Sequence, residues 1–237
     1  MDISVIVPCF NEEESIGLLL QRLNSVMKDC REYELIIIDD GSSDNTWQVL
    51  SGLKGSNKNI KPCRLARHYG KEAALYAGFK LAKGDVIVTI DADLQNFPED
   101  IPVLLDRLKQ SDAVIGWRRK RIDTAFRKFA SYIANALRKR ILRDALHDAG
   151  CGLRAFKKEC LIGIGEYKLF DVFLMSILKS KGHIVEEVEV RHAPRRFGRS
   201  KFNIRNRLLT NALALLAVCW LKRNILSGIA IINPASD

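Results

Sequence analysis

No apolar run in this 237-residue chain reaches the roughly 18–20 residues that a membrane-spanning helix requires. Two apolar stretches near the C-terminus, 208–221 and 225–232, are interrupted by Lys222 and Arg223. We therefore expect 203–222 to be an amphipathic helix that packs on the domain or lies at an interface, unless it is a fragment of a larger membrane anchor. The N-terminus enters a strand-like run without a basic leader, so we expect no signal peptide.

Paired cysteines and ligand-spaced histidines are also missing. None of the six cysteines forms a CxxC pair, and the four histidines show no metal-ligand spacing, so we assign the histidines no role. The sequence therefore lacks the usual signatures of a disulfide framework and of a zinc site. We expect the cysteines, Cys151 included, to be buried thiols in a reducing cytoplasm. Aromatic residues make up 8% of the chain, few of them interleave with its cations, and no recognised nucleic-acid motif is present. A nucleic-acid-binding module is therefore disfavoured.

The net charge of +10 is unevenly distributed. Residues 1–117 hold 13 Lys and Arg against 18 Asp and Glu, a balance of −5, whereas residues 118–237 hold 25 against 10, a balance of +15. The second half is thus expected to meet something anionic: nucleic acid, a phosphorylated substrate or an acidic membrane surface.

In the first half, buried strands alternate with amphipathic helices. The strands are expected at 3–8, 34–39, 85–90 and 113–116. The helices are expected at 11–27, 45–53, 72–82 and 99–110, the first with a capping box formed by Asn11 and Glu14. Continuous Val and Ile runs between helices predict an α/β fold whose mostly parallel sheet is covered on both faces. Ligands of such sheets bind beyond the carboxyl ends of the strands.

The second half has a different pattern. Residues 122–142 predict one basic amphipathic helix, whose basic face is either simply solvated or lies on a membrane surface. A helix near 166–180, a strand at 184–191 and a basic loop at 191–202 follow.

Two carboxylates, Asp91 and Asp93, follow directly after the strand predicted at 85–90. Residues two apart on a strand point the same way, so the pair offers hard oxygen ligands suited to Mg²⁺ or Mn²⁺. A DxD pattern alone is also compatible with a capped turn, because Asp is common in turns.

Four segments occur in an order and spacing that resemble a known family: VIVPCFNEEESI, LIIIDDGSSDNT, ARHYGKEAALYAGFKLAKGDVIVTIDADLQNFPEDIP and RRFGRSKFNI. Over residues 1–207 the sequence resembles the family 2 glycosyltransferases of the GT-A fold, and among them the polyprenyl-phosphate (dolichol- and undecaprenyl-phosphate) group. The resemblance implies a GT-A domain over 1–202, with a nucleotide half at 1–117 and an acceptor half at 118–202, and a membrane-associating segment at 203–237.

The implied activity is a metal-dependent, inverting transfer of a sugar from a nucleoside-diphosphate sugar to a polyprenyl phosphate at the cytoplasmic membrane face. A sugar or lipid hydroxyl is the alternative acceptor. The ion is Mg²⁺ or Mn²⁺, and the choice between a UDP and a GDP donor stays open. Many bacterial relatives continue into two full membrane helices, and this sequence contains no such pair. We therefore expect one of three arrangements: a peripheral enzyme, an enzyme with a membrane partner protein, or an enzyme anchored through a longer chain of which this is a truncated form. A homo-oligomer is also an expected assembly.

The resemblance also implies roles for individual residues. Those implied to bind the nucleotide or its phosphates are Pro8, Phe10, Asn11, Glu12, Asp39, Asp40, Arg67, Lys71, Arg118 and Arg154, with Arg195 and Lys201 as a basic clamp. Asp91, Asp93 and Gln95 are the implied metal contacts, and Asp93 is also implied in catalysis. Asp148 is either a general base, a residue that positions the acceptor or the cap of the turn before Gly150. Ordinary turn caps and surface cations are the alternative interpretation of the others.

Overall fold

The structure is a computed structural model that describes residues 2–30, 32–53, 57–119, 146–162 and 170–195. Seven strands form one sheet: β1 (Ile3–Cys9), β2 (Tyr33–Asp39), β3 (Ile60–Arg64), β4 (Val86–Thr89), β5 (Ala113–Trp117), β6 (Arg154–Lys157) and β7 (Val185–Glu189). Five α-helices accompany them: α1 (Ile16–Met27), α2 (Thr46–Leu53), α3 (Lys71–Leu81), α4 (Ile101–Leu108) and α5 (Phe170–Ser180). Short 3₁₀ turns lie at Pro98–Asp100 and Lys158–Leu161.

The sheet order is β3-β2-β1-β4-β6-β5-β7, and all neighbours are parallel except those of β6, which runs antiparallel between β4 and β5. All seven residues of β1 are buried. Successive side chains of a strand point to opposite faces, so this burial means that both faces of the central sheet are covered. The predicted α/β architecture with a mostly parallel sheet is confirmed.

Strands β3 and β6 were not predicted, because their sequences lack the continuous apolar pattern of buried parallel strands. Strand β3 contains Lys61, Pro62 and Arg64 and lies at the edge of the sheet, where a proline is tolerated. Strand β6 has only four residues. The pairing of β6 with β4 and β5, rather than its own periodicity, makes it a strand.

The predicted capping box at Asn11 and Glu14 was wrong. Helix α1 begins at Ile16, with Ser15 as its N-cap residue. Asn11 has a φ of 52°, which is incompatible with a right-handed helix. The backbone amide of Asn11 donates to Ser42 Oγ, so these polar groups tie the loop after β1 to the loop after β2.

The sequence predicts buried thiols, and the described cysteines can be compared with that prediction. The five described cysteines are free, and Cys9, Cys151 and Cys160 among them are buried. No described helix is both long enough and apolar enough to cross a bilayer. The predicted helices at 122–142 and 203–222, and Lys201, lie outside the described residues. The proposed boundary between 1–202 and 203–237 stays a prediction.

The packing of α3 on β1 depends on a glycine. A Cβ added at Gly78 would overlap the side chain of Ile6, which is fully buried in β1. Well-packed cores accommodate such extra volume only by shifting side chains or backbone.

We expect Gly78→Ala to lower the free energy of unfolding by about 1–3 kcal/mol, because the added methyl group forces α3 away from β1. Gly17→Ala in α1 is the matched control, since nothing lies within 4 Å of the added Cβ. Removing a helical glycine there stabilises by roughly 0.5–1 kcal/mol. Urea unfolding of both variants checks the contrast, and equal effects would contradict the packing argument.

Candidate active site

The polar residues of the predicted site gather at the carboxyl ends of the parallel strands. The loops after β1, β2 and β4 meet there because these strands are neighbours and run the same way. The turn before β6 and the segment after β7 complete the rim. Pro8 lies within β1, is buried and pairs with Ile38 of β2, so it supports the rim from below.

Asp39 and Asp40 fix the conformation of the loops around them. Asp39 is fully buried, with one oxygen accepting a hydrogen bond from Ser42 N (3.0 Å) and the other 3.1 Å from Arg64 Nε. Asp40 is 2% exposed and accepts hydrogen bonds from the backbone amides of Tyr69 and Gly70, each at 2.8 Å. The carboxylates of Asp39 and Asp40 therefore hold the backbone of the loops after β2 and β3 in place.

A pair of stacked rings lies beside these loops. Phe10 and His68 stack with their centroids 3.9 Å apart and their planes inclined by 21°. His68 Nδ1 is 2.8 Å from Asp40 Oδ2, which orients the imidazole. Nothing in the sequence singles out His68, because its role depends on the ring of Phe10, 58 residues away in the chain. Arg67, next to it, lies over the ring of Tyr69 at 5.0 Å.

β4 ends at Thr89, so the two carboxylates of the DxD pattern lie just beyond the carboxyl end of the strand, where the sequence predicted them, and Asp93 lies in the turn that follows. Asp93 Oδ1 accepts a hydrogen bond from Gln95 N at 3.2 Å. Burial and the nearby charge of Asp91 raise the pKa of Asp93 to about 6, against the partial opposing effects of Gln95 N and Arg195. The turn thus concentrates negative charge that its surroundings only partly neutralise.

This charge and the donor set fit a hard divalent cation such as Mg²⁺ or Mn²⁺, which prefers carboxylate and amide oxygens. Asp91 and Asp93 would supply the carboxylates, and the side-chain carbonyl of Gln95 would be the further oxygen. The amide nitrogen of Gln95 is engaged, because it donates to Ala193 O at 3.4 Å. Within the described residues no group of three or more His, Cys, Asp and Glu side chains could hold a metal ion, so the remaining ligands would be water or substrate oxygens.

Lys71 contacts Asp91 and links it to a further aspartate, Asp171. Lys71 Nζ is 2.7 Å from Asp91 Oδ1 and 3.1 Å from Asp171 Oδ2. The two carboxylates raise the pKa of Lys71 despite its burial, and the cations Lys71 and Arg154 hold the pKa of Asp171 well below its usual value. Asp171, in the first turn of α5, was missed because it belongs to none of the motifs that the sequence presents.

Arg154, which the resemblance implies as a phosphate ligand, is buried and paired within the protein. It is 1% exposed, and its guanidinium donates to Asp171 Oδ1 (2.6 Å) and to the carbonyl of Cys151 (2.8 Å). Burial and these partners argue against direct contact between Arg154 and a phosphate in this conformation. Its charge acts instead on Asp171.

The turn before β6 also approaches the DxD turn closely. A Cβ added at Gly152 would overlap the carboxylate of Asp91, so a larger residue there would displace that carboxylate. The carbonyl of Gly152 accepts a hydrogen bond from Thr89 Oγ1 at 2.9 Å. The DAGCG segment is therefore part of the site through its backbone, a contact that no motif spacing predicts.

Asp148 and Arg118 form a bidentate ion pair. Arg118 Nε and Nη2 donate to the two oxygens of Asp148 at 2.7 and 2.9 Å, and Asp148 is 4% exposed. This pairing raises the pKa of Arg118 despite its burial. A carboxylate held in this way is a poor proton acceptor, so the geometry favours a positioning role over that of a general base.

The segment after β7 brings Arg195 to the site. Arg191 pairs with Asp100 and lies over the ring of Phe97 at 4.9 Å, while Ala193 N donates to Gln95 O at 2.9 Å. Arg195 then forms an ion pair with Glu12, and its Nη1 is 3.8 Å from Asp93 Oδ2.

The profile of Glycosyl transferase family 2 matches residues 4–165, more than half of the chain. The chain belongs to glycosyl transferase family 2. The undecaprenyl-phosphate 4-deoxy-4-formamido-L-arabinose transferase of Photorhabdus laumondii is 38% identical over 220 residues, covering 92% of this chain and 67% of the relative. The enzyme of the same name from Proteus mirabilis is 38% identical over 207 residues, covering 85% of this chain and 63% of that relative. This glycosyltransferase thus spans about two thirds of the length of these relatives.

Solved structures show the same fold at lower identity. Glucosyl-3-phosphoglycerate synthase from Mycobacterium tuberculosis, in complex with Mn²⁺, UDP-glucose and phosphoglyceric acid, has a TM-score of 0.70 at 20% identity, covering 92% of this chain and 80% of that one. The mannosyltransferase PcManGT from Pyrobaculum calidifontis, in complex with GDP-Man and Mn²⁺, has a TM-score of 0.68 at 20% identity, covering 92% and 64%. The predicted GT-A fold and glycosyltransferase class are confirmed.

The raised pKa of Asp93 predicts a pH effect on stability. An acid whose pKa rises on folding binds a proton in the folded state first, so the folded protein gains stability as the pH falls through about 6 towards 4. In EDTA, Asp93→Asn should raise the melting temperature more at pH 7.5 than at pH 5, by roughly 2–4 °C for each kcal/mol relieved.

Asp106→Asn is the control for this measurement, since Asp106 is exposed, lies outside the site and pairs with its neighbour Lys109. Differential scanning calorimetry at both pH values measures the shift. If Asp93→Asn changes the melting temperature equally at pH 5 and 7.5, burial and the charge of Asp91 do not raise the pKa of Asp93 in the folded protein.

Proposed function

We propose that this family 2 glycosyltransferase transfers a sugar from a nucleoside-diphosphate sugar to a polyprenyl phosphate, with inversion at the anomeric carbon. The observation that carries the proposal is the pair Asp91 and Asp93 at the carboxyl end of β4, with Lys71 and Arg195 beside it. Opposite charges so arranged suit a diphosphate that leaves with its charge compensated. The names of the curated relatives support undecaprenyl phosphate, or a lipid phosphate of that class, as the acceptor.

The nucleoside would lie against the loops after β1, β2 and β3. The stacked rings of Phe10 and His68 offer a flat apolar surface, and aromatic faces bind planar bases by stacking. Asn11, which accepts a hydrogen bond from Ser43 N at 2.8 Å, and Asp40 hold the surrounding backbone in place. UDP and GDP both remain candidates, since one structural neighbour is in complex with UDP-glucose and another with GDP-Man.

Asp91, Asp93 and Gln95 would hold the divalent cation, Mg²⁺ or Mn²⁺. When bound, the cation supplies a Lewis acid that neutralises charge on the leaving diphosphate. Lys71 and Arg195 add positive charge from two other elements of the fold, α3 and the segment after β7. Asp93 contributes to catalysis by holding the donor in place at this charge centre.

The acceptor is best matched by a phosphate. A phosphate monoester has a second pKa near 6, so it is largely dianionic at neutral pH and attacks without a general base. A hydroxyl acceptor needs such a base. The bidentate pairing of Asp148 with Arg118 leaves that carboxylate poorly suited to the task, which favours the phosphate acceptor.

The charge distribution supports a membrane-surface location. Residues 118–237 carry a balance of +15, and each well-placed cation contributes roughly 1 kcal/mol near an anionic bilayer surface. A polyprenyl phosphate presents its headgroup at that surface. We therefore propose peripheral association with the cytoplasmic face, through the basic acceptor half and the segment 203–237.

Donor binding is tested by thermal shift with UDP, GDP and their sugars, with and without Mn²⁺. A nucleotide at 100 times its dissociation constant stabilises by about 2.7 kcal/mol, and we expect this shift to require the cation. Asp91→Asn should lose the Mn²⁺-dependent part, whereas Asp106→Asn should keep it. The absence of any Mn²⁺-dependent shift in the wild-type protein would refute the proposed donor and its metal site.

Acceptor class is tested with Asp148→Asn, after its melting temperature has shown that the variant is folded. With a polyprenyl-phosphate acceptor we expect the turnover number to fall by less than about tenfold, because no base is removed. Loss of a general base costs about 10²–10⁴-fold. A loss in that range in the folded variant, restored at high pH, would favour the hydroxyl acceptor instead.

A further inference from the structure

Lys71 bridges two carboxylates that differ in their access to solvent. Its ammonium is 2.7 Å from Asp91 and 3.1 Å from Asp171. The Asp91 side chain is 32% exposed, whereas that of Asp171 is 10% exposed. The lysine therefore joins an open side of the site, where a ligand can enter, to a buried side, where none can.

The buried side of this bridge is firmly held. Asp171 Oδ1 accepts a hydrogen bond from Arg154 Nη1 at 2.6 Å, and Arg154 Nε is bound to the Cys151 carbonyl at 2.8 Å. Asp171 thus shares its charge between two cations and keeps one oxygen for Lys71. Its position on α5, rather than on a loop, fixes where the ammonium can rest.

The two DxD carboxylates are not treated alike. Asp91 is in direct contact with the ammonium of Lys71. Among the residues that the structure describes, the cation paired with Asp93 is Arg195, at 3.8 Å, which is also paired with Glu12. Any further cation that binds both carboxylates must therefore displace Lys71 from Asp91 or share that carboxylate with it.

We propose that Lys71 is an internal competitor for the cation site at Asp91, and that Asp171 is the positioning residue that draws Lys71 away from it. The proposal rests on the metal site of the proposed function. Lys71 then protects the acidic turn from its own repulsion before a divalent cation binds, and it remains within reach of the donor diphosphate afterwards.

The proposal predicts effects of opposite sign for the two partners of the bridge. Removing the Lys71 charge frees Asp91, so divalent cations should bind more tightly. Removing the Asp171 charge leaves Lys71 with Asp91 as its remaining close carboxylate partner among those described, so divalent cations should bind more weakly. A merely structural role for both residues would weaken binding in both variants.

The measurement is a titration of the nucleotide-free protein with Mn²⁺ at pH 7.5, in which electron paramagnetic resonance reports free Mn²⁺. We expect Lys71→Met to lower the dissociation constant by about tenfold, the effect of losing one charge pair of about 1.4 kcal/mol. Lys80→Met, on the last turn of α3 and roughly 13 Å along the helix, is the matched control and should leave the constant unchanged.

Asp171→Asn should raise the dissociation constant for Mn²⁺. Because this change also leaves the buried Arg154 without its anion, the melting temperature is measured first, and Lys71→Met decides the proposal by itself. A Lys71→Met variant that binds Mn²⁺ as the wild type does, or more weakly, overturns the proposal.

Asp91→Asn separates this failure from a failure of the proposed function. If Asp91→Asn weakens Mn²⁺ binding while Lys71→Met does not strengthen it, the metal site stands and the competition is refuted. If the wild-type protein and Asp91→Asn bind Mn²⁺ equally poorly, the metal site itself is wrong and both proposals fall.

Discussion

The charge of Asp91 and Asp93 is the constraint around which the described site is organised. Burial and the nearby charge of Asp91 raise the pKa of Asp93, so the two carboxylates are costly to hold together in their charged forms. Compensation comes from elements far apart in sequence: Lys71 from α3 and Arg195 from the segment after β7. The buried pair of Asp171 and Arg154 in turn holds Lys71 in place. A divalent cation would add to this balance rather than create it.

The sheet makes this convergence of charges geometrically feasible. Parallel strands β1, β2 and β4 bring their loops to one edge, where a GT-A enzyme binds its donor. The antiparallel strand β6 begins at that same edge, so the turn before it carries Gly152 against Asp91 and places Arg154 under the site. The bridge between Asn96 and His192 then ties the segment after β7 to the DxD turn.

Donor and acceptor functions are expected to fall on different parts of the chain. The acidic first half supplies the ring pair of Phe10 and His68 and the carboxylates. The basic second half supplies Arg118, whose pairing with Asp148 keeps its charge in one orientation beside the turn at 148–151. In the proposed mechanism Asp148 would contribute by fixing an arginine, and the attacking phosphate would bring its own negative charge.

The sequence by itself determined the fold class, the family and the edge of the sheet that carries the site, because continuous apolar strands and the DxD turn are local patterns. It did not determine what each charge does. Asp171 and His68 look ordinary in the sequence, while Arg154 looks like a phosphate ligand. Only the tertiary structure decided that Asp171 holds Lys71, that His68 stacks on Phe10 and that Arg154 is buried. The physical reason is that ion pairing and burial depend on distances between elements, which residue spacing along the chain does not encode.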